Sequence, residues 1–162
     1  MNRKTDIFFD TVTSPLGVLF LVFSGKALAG IRFEGEGKPP YARGKGAENF
    51  KKQLMDYFSG ALKDFNQSVF FISGTEFEKK VWLALRGVPY GETRTYKWLA
   101  EKVGSPKGSR AVGQALSRNP VPIVIPCHRV IESDGSLGGY SGGIDVKRRL
   151  LDMEYYYLMG GK

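Results

Sequence analysis

Residues 75–117 read TEFEKKVWLALRGVPYGETRTYKWLAEKVGSPKGSRAVGQALS, and the fold of the C-terminal part is decided here. Thr75-Glu76-Phe77-Glu78 has the pattern of a capping box, in which a threonine oxygen and a glutamate three residues on satisfy the first amides of a helix. Phe77, Val81, Trp82, Leu83 and Leu85 then give a broad apolar face as far as Gly87, and Val88-Pro89-Tyr90-Gly91 breaks the helix. A second short helix is expected from Thr95 through Leu99 and Ala100, with Gly104 as its stop. Ser105-Pro106 opens a third, over Lys107 to Ser117. Two short helices joined by a tight glycine-containing turn form a helix-turn-helix signature. The third helix carries Gly108, Arg110, Ala111, Gly113, Gln114 and Ala115. Each glycine in a helix interior costs roughly 1 kcal/mol against alanine. So small a surface suits close approach, to a neighbouring helix or to DNA, and this fact alone favours the neighbouring helix.

Downstream lies NPVPIVIPCHRVIESDGSLGGYSGG, residues 119–143, which holds the sole cysteine, Cys127, beside the sole histidine, His128. Ile123-Val124-Ile125, set between prolines, reads as a buried strand delivering the pair to a fixed place. Asp134-Gly135 signals a turn, and the run from Gly138 to Gly143 is a backbone made to bend and to come close to something. A lone cysteine in an apolar stretch is most often a small buried hydrophobe. The neighbouring His128 and Arg129 argue for a reactive thiol instead, because a cationic neighbourhood lowers a thiol pKa. In an extended segment consecutive side chains oppose each other, so His128 would reach the thiol through a water or a bend. The last helix is expected over Ile144 to Leu158, with Val146, Leu150 and Leu151 inward, Lys147, Arg148 and Arg149 outward, and the tyrosine tail 155–157 packed.

Upstream, strands are expected over Asp6–Val12, Val18–Phe23 and Ala29–Phe33. An exposed loop over 34–46 follows, then a helix from Ala47 to Phe58 carrying Phe50, Leu54 and Phe58 on one face, and a short strand Val69–Ile72. The seam falls at Ser73-Gly74. The expected class is therefore α/β (α+β): residues 1–73 a small sheet with a helix, residues 74–162 mostly helical, with a helix-turn-helix and a short active-site strand.

The 162 residues carry a net charge of +8, divided as +3 over 1–72 and +5 over 73–162. That balance is compatible with a polyanionic partner. One cysteine excludes an internal disulfide, and one cysteine with one histidine cannot build the usual zinc site. Neither Met1–Phe9 nor Gly17–Phe23 reads as a signal peptide or a membrane span. A cytoplasmic chain without metal, cofactor or membrane partner is expected.

Pro126-Cys127-His128-Arg129-Val130 resembles the active-site signature of the O6-alkylguanine-DNA alkyltransferases. Arg110-Ala111-Val112-Gly113, Asn119-Pro120, Tyr140-Ser141-Gly142-Gly143, Lys147, Leu150-Leu151 and Glu154 fall at that family's spacing, as do Val81-Trp82, Pro89-Tyr90-Gly91 and Tyr96. The resemblance covers about residues 75–154. It implies direct reversal of damage: an O6-alkylated guanine is flipped from duplex DNA and its alkyl group moves irreversibly to the protein's own cysteine, by a monomer without cofactor. By position, Cys127 would be the nucleophile, His128 the proton acceptor through a water, and Glu154 the partner of the imidazole. Tyr96 would donate to guanine N3, and the carbonyls of Cys127 and Val130 would accept from the exocyclic amine. The Ser141 amide would face O6, with Tyr140 and Gly142 in the same pocket wall. Asn119 would tie the helix-turn-helix to the active-site strand. Arg110 would fill the stack, and Ala111, Gly113, Gln114 and Ala115 would lie in the minor groove. A second cysteine found in some members is replaced here by the Glu132-Ser133 region. Three other readings stand beside this one: a lesion-binding module without chemistry, a thiol hydrolase, and a helix-turn-helix regulator.

Overall fold

The computed structural model describes residues 7–162, so Asp6 and the segment before it lie outside the described residues. The chain divides between Ile72 and Ser73 into two compact units.

In the first unit, β1 (Ile7–Ser14), β2 (Gly17–Ser24) and β3 (Ala27–Phe33) form an antiparallel meander, joined by turns at Pro15-Leu16 and Gly25-Lys26. Alternation puts Leu19, Leu21 and Phe23 on one face, all buried, and Phe23 meets Phe50 of α1 (Glu48–Phe58) edge-on at 6.1 Å between ring centroids. Phe9, Val22 and Ala29 make a smaller cluster with Ile7, Phe20 and Tyr41. Apolar residues on both faces account for the imperfect alternation of β1. Lys51 of α1 reaches the buried Asp10 at 2.8 Å, tying helix to sheet.

Two expectations for this unit need correction. The stretch 34–46 is not all loop: it holds a 3₁₀ turn, Glu34–Glu36, and β4 (Ala42–Arg43), which pairs parallel to β1 and completes the order β3-β2-β1-β4. Val69–Ile72 is not a strand. Val69 makes one isolated bridge to Leu28, while Phe70 and Ile72 face outward, so too few residues pair to form a ladder.

In the second unit, α2 (Glu76–Leu85) starts with the expected reciprocal cap: Thr75 Oγ1 accepts from the Glu78 amide at 3.0 Å, and Glu78 Oε1 accepts from the Thr75 amide at 2.9 Å. Val81, Trp82 and Leu85 are buried, but Leu83 is 57% exposed, one helical step off the face. α3 (Tyr96–Lys102) is capped by Thr95 and stops at Val103-Gly104. α4 (Ser109–Ser117) follows the 105–108 turn and packs on both α2 and α3. Trp82 Nε1 donates to the Ala115 carbonyl at 2.7 Å, locking α2 to α4. Two short strands, β5 (Arg94–Thr95) and β6 (Val130–Ile131), pair in parallel. α5 (Ile144–Leu158) closes the unit. Its aromatic end is not packed as expected: Tyr155 and Tyr156 are more than half exposed. The class is the mixed α+β one expected. No helix among the described residues is long and apolar enough to cross a membrane.

Candidate active site

Between α4 and Cys127 the chain carries three prolines and no regular element. Ile123–Ile125 is buried, as expected, but forms a turn rather than a strand, and Ile123 takes φ 77°. A β-branched residue in that region costs on the order of 1–3 kcal/mol and needs its surroundings to impose it. Asn119 does so: its Nδ2 donates to the Ile125 carbonyl at 2.8 Å and its Oδ1 accepts from the Val121 amide at 2.9 Å. Its side chain also hydrogen-bonds the Cys127 thiol. A single buried amide therefore ties the end of α4, the strained turn and the thiol together.

Cys127–Arg129 is one turn of 3₁₀ helix, closed by the Arg129 amide on the Pro126 carbonyl and the Val130 amide on the Cys127 carbonyl. The strand comes after the cysteine, as β6. With three residues per turn, successive side chains splay about 120° apart. The thiol faces a cavity, while His128 and Arg129 both reach Glu154 on α5. His128 Nε2 lies 2.7 Å from Glu154 Oε2. Arg129 Nε donates to Oε1 at 2.9 Å and Nη2 to Oε2 at 3.0 Å. The Gly91 amide adds a bond to Oε1 at 3.2 Å, and Arg129 Nη1 donates to the Val88 carbonyl at 2.7 Å. The Val88–Gly91 break after α2 thus serves the carboxylate directly.

This network fixes the protonation states. Burial raises the Glu154 pKa, and the charges and hydrogen bonds of His128 and Arg129 overcome that, holding the carboxyl well below the usual range. Burial lowers the His128 pKa more than Glu154 raises it, so the imidazole is neutral. Its Nε2 proton is assigned by the carboxylate it must donate to, which leaves Nδ1 as a bare lone pair with no hydrogen-bond partner among the described residues. The thiol does not behave as expected. Arg129 faces Glu154 rather than the sulfur, and burial, opposed by Asn119 and the more distant Lys147 charge, pushes the thiol up to about 11. The resting group is a protected thiol, not a thiolate.

Lys147 is a second departure from expectation. It is fully buried rather than outward, and its ammonium donates to the carbonyls of Val130, Leu137 and Gly139. Those three bonds staple the glycine-rich 137–139 segment to β6. Lys147, Leu150 and Glu154 are spaced i, i+3, i+7, and that one-face periodicity was the available signal, masked by the flanking Arg148-Arg149. The clamp formed by Arg129 had no such signal, because it joins residues 25 apart in sequence.

The thiol opens on a cavity of about 540 Å³, within the range of small-ligand pockets, lined among others by Tyr96, Arg110, Gly113, Glu132, Tyr140 and Ser141. The Tyr96 phenol stands over Gly138, where a Cβ would come within 2.7 Å of its oxygen, and Gly138 has φ 72°. No other residue fits there. On α4, Ser109, Arg110, Ala111 and Gln114 are exposed, and a Cβ on Gly113 would meet nothing within 4 Å. Gly113 is therefore not small for the sake of the α3–α4 contact. Gly108 is small for its own turn, since a Cβ there would strike Ser105 at 2.5 Å. Ala115 must be removed from the expected DNA face: it is 1% exposed and turned to α2. Val130 is buried with its carbonyl held by Lys147, and Gly142 is not among the residues lining the cavity. No group of three His, Cys, Asp or Glu among the described residues is placed to hold a metal.

Comparison with known proteins agrees with this geometry. The model of the 6-O-methylguanine DNA methyltransferase DNA binding domain matches residues 76–156. A methylated-DNA–protein-cysteine methyltransferase of Methanosarcina barkeri is 44% identical over 154 residues, spanning 91% of this chain and 97% of that one. The crystal structure of Mycobacterium tuberculosis OGT in complex with DNA superposes with a TM-score of 0.88 at 39% identity, covering 93% of this chain and 94% of that one. The O6-methylguanine-DNA methyltransferase of Pyrococcus kodakaraensis gives 0.70 at 29% identity, covering 91% and 98%. On these grounds the chain belongs to the methylated-DNA–protein-cysteine methyltransferase family.

Proposed function

We propose that this chain repairs DNA by taking the alkyl group of an O6-alkylguanine onto Cys127, once per molecule, and that residues 74–162 carry both the DNA contact and the alkyl acceptor. The observation that carries this reading is the buried thiol on a cavity of small-ligand size, next in the chain to an imidazole whose Nδ1 is bare and whose opposite nitrogen is committed to Glu154. The thiol proton passes through a water to His128 Nδ1 as sulfur attacks the alkyl carbon in line. The S–C bond forms, the C–O6 bond breaks, and its electron pair leaves with guanine. The imidazolium so formed faces a carboxylate already ionised. Tyr96, donating to N3, disperses charge on the departing base, the Ser141 amide faces O6, and the carbonyls of Cys127 and Val130 accept from the exocyclic amine. A thioether has no ready route back, which limits the protein to one event.

A base inside the stack cannot reach a buried thiol, so the lesion must be extruded at a cost of a few kcal/mol. The exposed side of α4 suits a narrow minor groove, with Arg110 entering the stack and Ala111, Gly113 and Gln114 against the walls. A single thiol of this kind stays reduced in the cytoplasm, and the site is complete within one monomer.

The test is intact mass after mixing the purified protein with a duplex bearing one O6-methylguanine. A gain of one methyl, mapped to Cys127 and saturating at one per chain, is expected; multiple turnover or an unchanged mass refutes the proposal. Arg110→Ala is expected to slow transfer from duplex DNA by about tenfold or more while sparing transfer from the free base O6-methylguanine. Equal slowing of both would show that Arg110 does not fill the stack.

A further inference from the structure

The outer face of α5 takes no part in the reacting network. Lys147, Leu150 and Glu154 turn inward. At about 100° per residue, Arg148, Asp152, Tyr155 and Met159 fall within an arc of roughly 60° on the opposite side, and all four are exposed. The last turn of this stripe is apolar: Tyr155 is 61% exposed and Met159 68%, with Tyr156 beside them at 52%. That end is held rather than frayed. The Tyr156 hydroxyl donates to the Lys162 carbonyl at 3.0 Å and accepts from the Lys162 amide at 3.3 Å, so the chain end folds back along the ring and leaves no room for a Cβ on Gly161. Leu158 lies against Gly91, where a Cβ would come within 2.6 Å of it. An aromatic patch already fixed in place loses little freedom when something covers it.

The charges on the face say what fits there. Asp145, Arg148, Arg149 and Asp152 sum to zero on a chain that carries +8 overall, so this surface holds little attraction for a polyanion. Arg148 and Asp152 stand one turn apart with the cation nearer the N-terminus, the weaker order for a pair within one helix. Neither has an ion-pair partner among the described residues. A second copy of the helix laid parallel would set Arg148 against Arg148 and Asp152 against Asp152. Laid antiparallel about a two-fold axis, it sets each Arg148 against Asp152 of the other copy. The same register brings Tyr156 opposite Ile144, itself 42% exposed, and Tyr155 opposite Asp145.

We propose that α5 is a self-association surface, on which two copies of this chain pack the outer faces of their α5 helices antiparallel, Arg148 of each pairing with Asp152 of the other. The reacting network lies on the inner face of the helix, so each copy keeps its own complete site. One helix face offers far less than the roughly 800 Å² per partner of a standard stable complex. The dimer is therefore weak, with a dissociation constant on the order of 100 µM.

Sedimentation equilibrium of the full chain without DNA, from about 10 µM to about 1 mM, measures it. The wild type is expected to pass from monomer to dimer over that range. Arg148→Glu and Asp152→Arg each set like charges opposite one another at two symmetric places, and each alone is expected to associate at least about tenfold more weakly. An equimolar mixture of the two variants restores opposite charges across the contact and is expected to recover the wild-type constant within about threefold. Tyr155→Ala is expected to weaken association about tenfold, and mixing it with either charge variant gives no recovery. Matching urea unfolding midpoints check that the variants are folded. A wild type that stays monomeric to about 1 mM overturns the proposal and leaves the face to a partner of another kind. Charge variants that dimerise like the wild type overturn it as well, as does a mixture that fails to recover. Association that appears only once duplex DNA is added would place the contact along the duplex and overturns it too.

Discussion

Glu154→Gln is expected to destabilise the second unit by about 3–5 kcal/mol and to slow methyl transfer at least a hundredfold. The substitution keeps the shape and removes the charge. Arg129, with its side chain 7% exposed, would lose the one carboxylate that pairs it, and a buried cation left unpaired accounts for most of the stability loss. The new amide also puts N–H groups where the carboxylate accepted, so either His128 or Arg129 meets a donor. His128 can then adopt the other tautomer, with its proton on Nδ1, the position that the proposed step needs bare. Urea denaturation measures the first effect and single-turnover transfer the second. Arg129→Met separates them, because it disturbs the pair but leaves the His128–Glu154 bond. If Arg129→Met slows transfer as much as Glu154→Gln at equal stability loss, Glu154 has no role beyond holding the fold.

The same network sets a direction with pH. Both His128 and Glu154 have folded pKa values below their ordinary values of 6.5 and 4.5, so the unfolded chain binds more protons on acidification. The stability they contribute is fully present above about pH 6.5 and falls as pH drops, first through His128 and then through Glu154, at about 1.4 kcal/mol per unit for each proton. In urea titrations at pH 7.5, 6 and 5, Glu154→Gln is expected to lose at least as much as the wild type on going down, since that window titrates His128, whose pKa burial depresses further once the carboxylate that opposes it is gone.

How far the sequence led depends on the range of the interactions concerned. Local rules carried α2 with its capping box, the α3–α4 turn and the extent of α5, because each depends on residues within a turn or two of one another. The strand assigned to Ile123–Ile125 failed where a long-range constraint took over: Asn119 holds the segment in a turn with Ile123 in the left-handed region, which no β-branched residue chooses locally. Lys147 departs from its expected outward place for a similar reason. A basic triplet on a helix is ordinarily solvated, and three carbonyls from other segments outweigh that preference only after the fold has assembled. By position Arg129 is expected to activate its sequence neighbour, whereas the 3₁₀ turn aims it away from the thiol. Cys127 and His128 stand out in the sequence as a candidate reactive pair, whereas Tyr96 enters only through the family resemblance. The burial and charge around the thiol have no local signal, because they are properties of the packed unit.

Cys127→Ala is expected to abolish methyl uptake completely while lesion-bearing duplex is still bound with affinity within about threefold of the wild type, the Arg110 face being untouched. The resting thiol makes this a demanding test. With its pKa pushed up to about 11, only about one molecule in 10⁴ carries a thiolate at pH 7, so attack cannot draw on a standing population of ions. On the proposed reading proton removal accompanies bond formation, with His128 as the base and a substrate seated in the cavity. A small reagent such as iodoacetamide, which recruits neither, should label Cys127 far more slowly than a free cysteine, whereas the O6-methylguanine duplex is expected to consume it within one binding event. Cys127→Ser should be as inert as Cys127→Ala, since an alcohol holds its proton still more tightly. A protein that merely binds the lesion behaves otherwise. Its wild type gains no mass, and neither substitution changes anything measurable. Rapid iodoacetamide labelling at neutral pH, comparable with free cysteine, would show a thiolate already formed and would remove His128 from the step assigned to it.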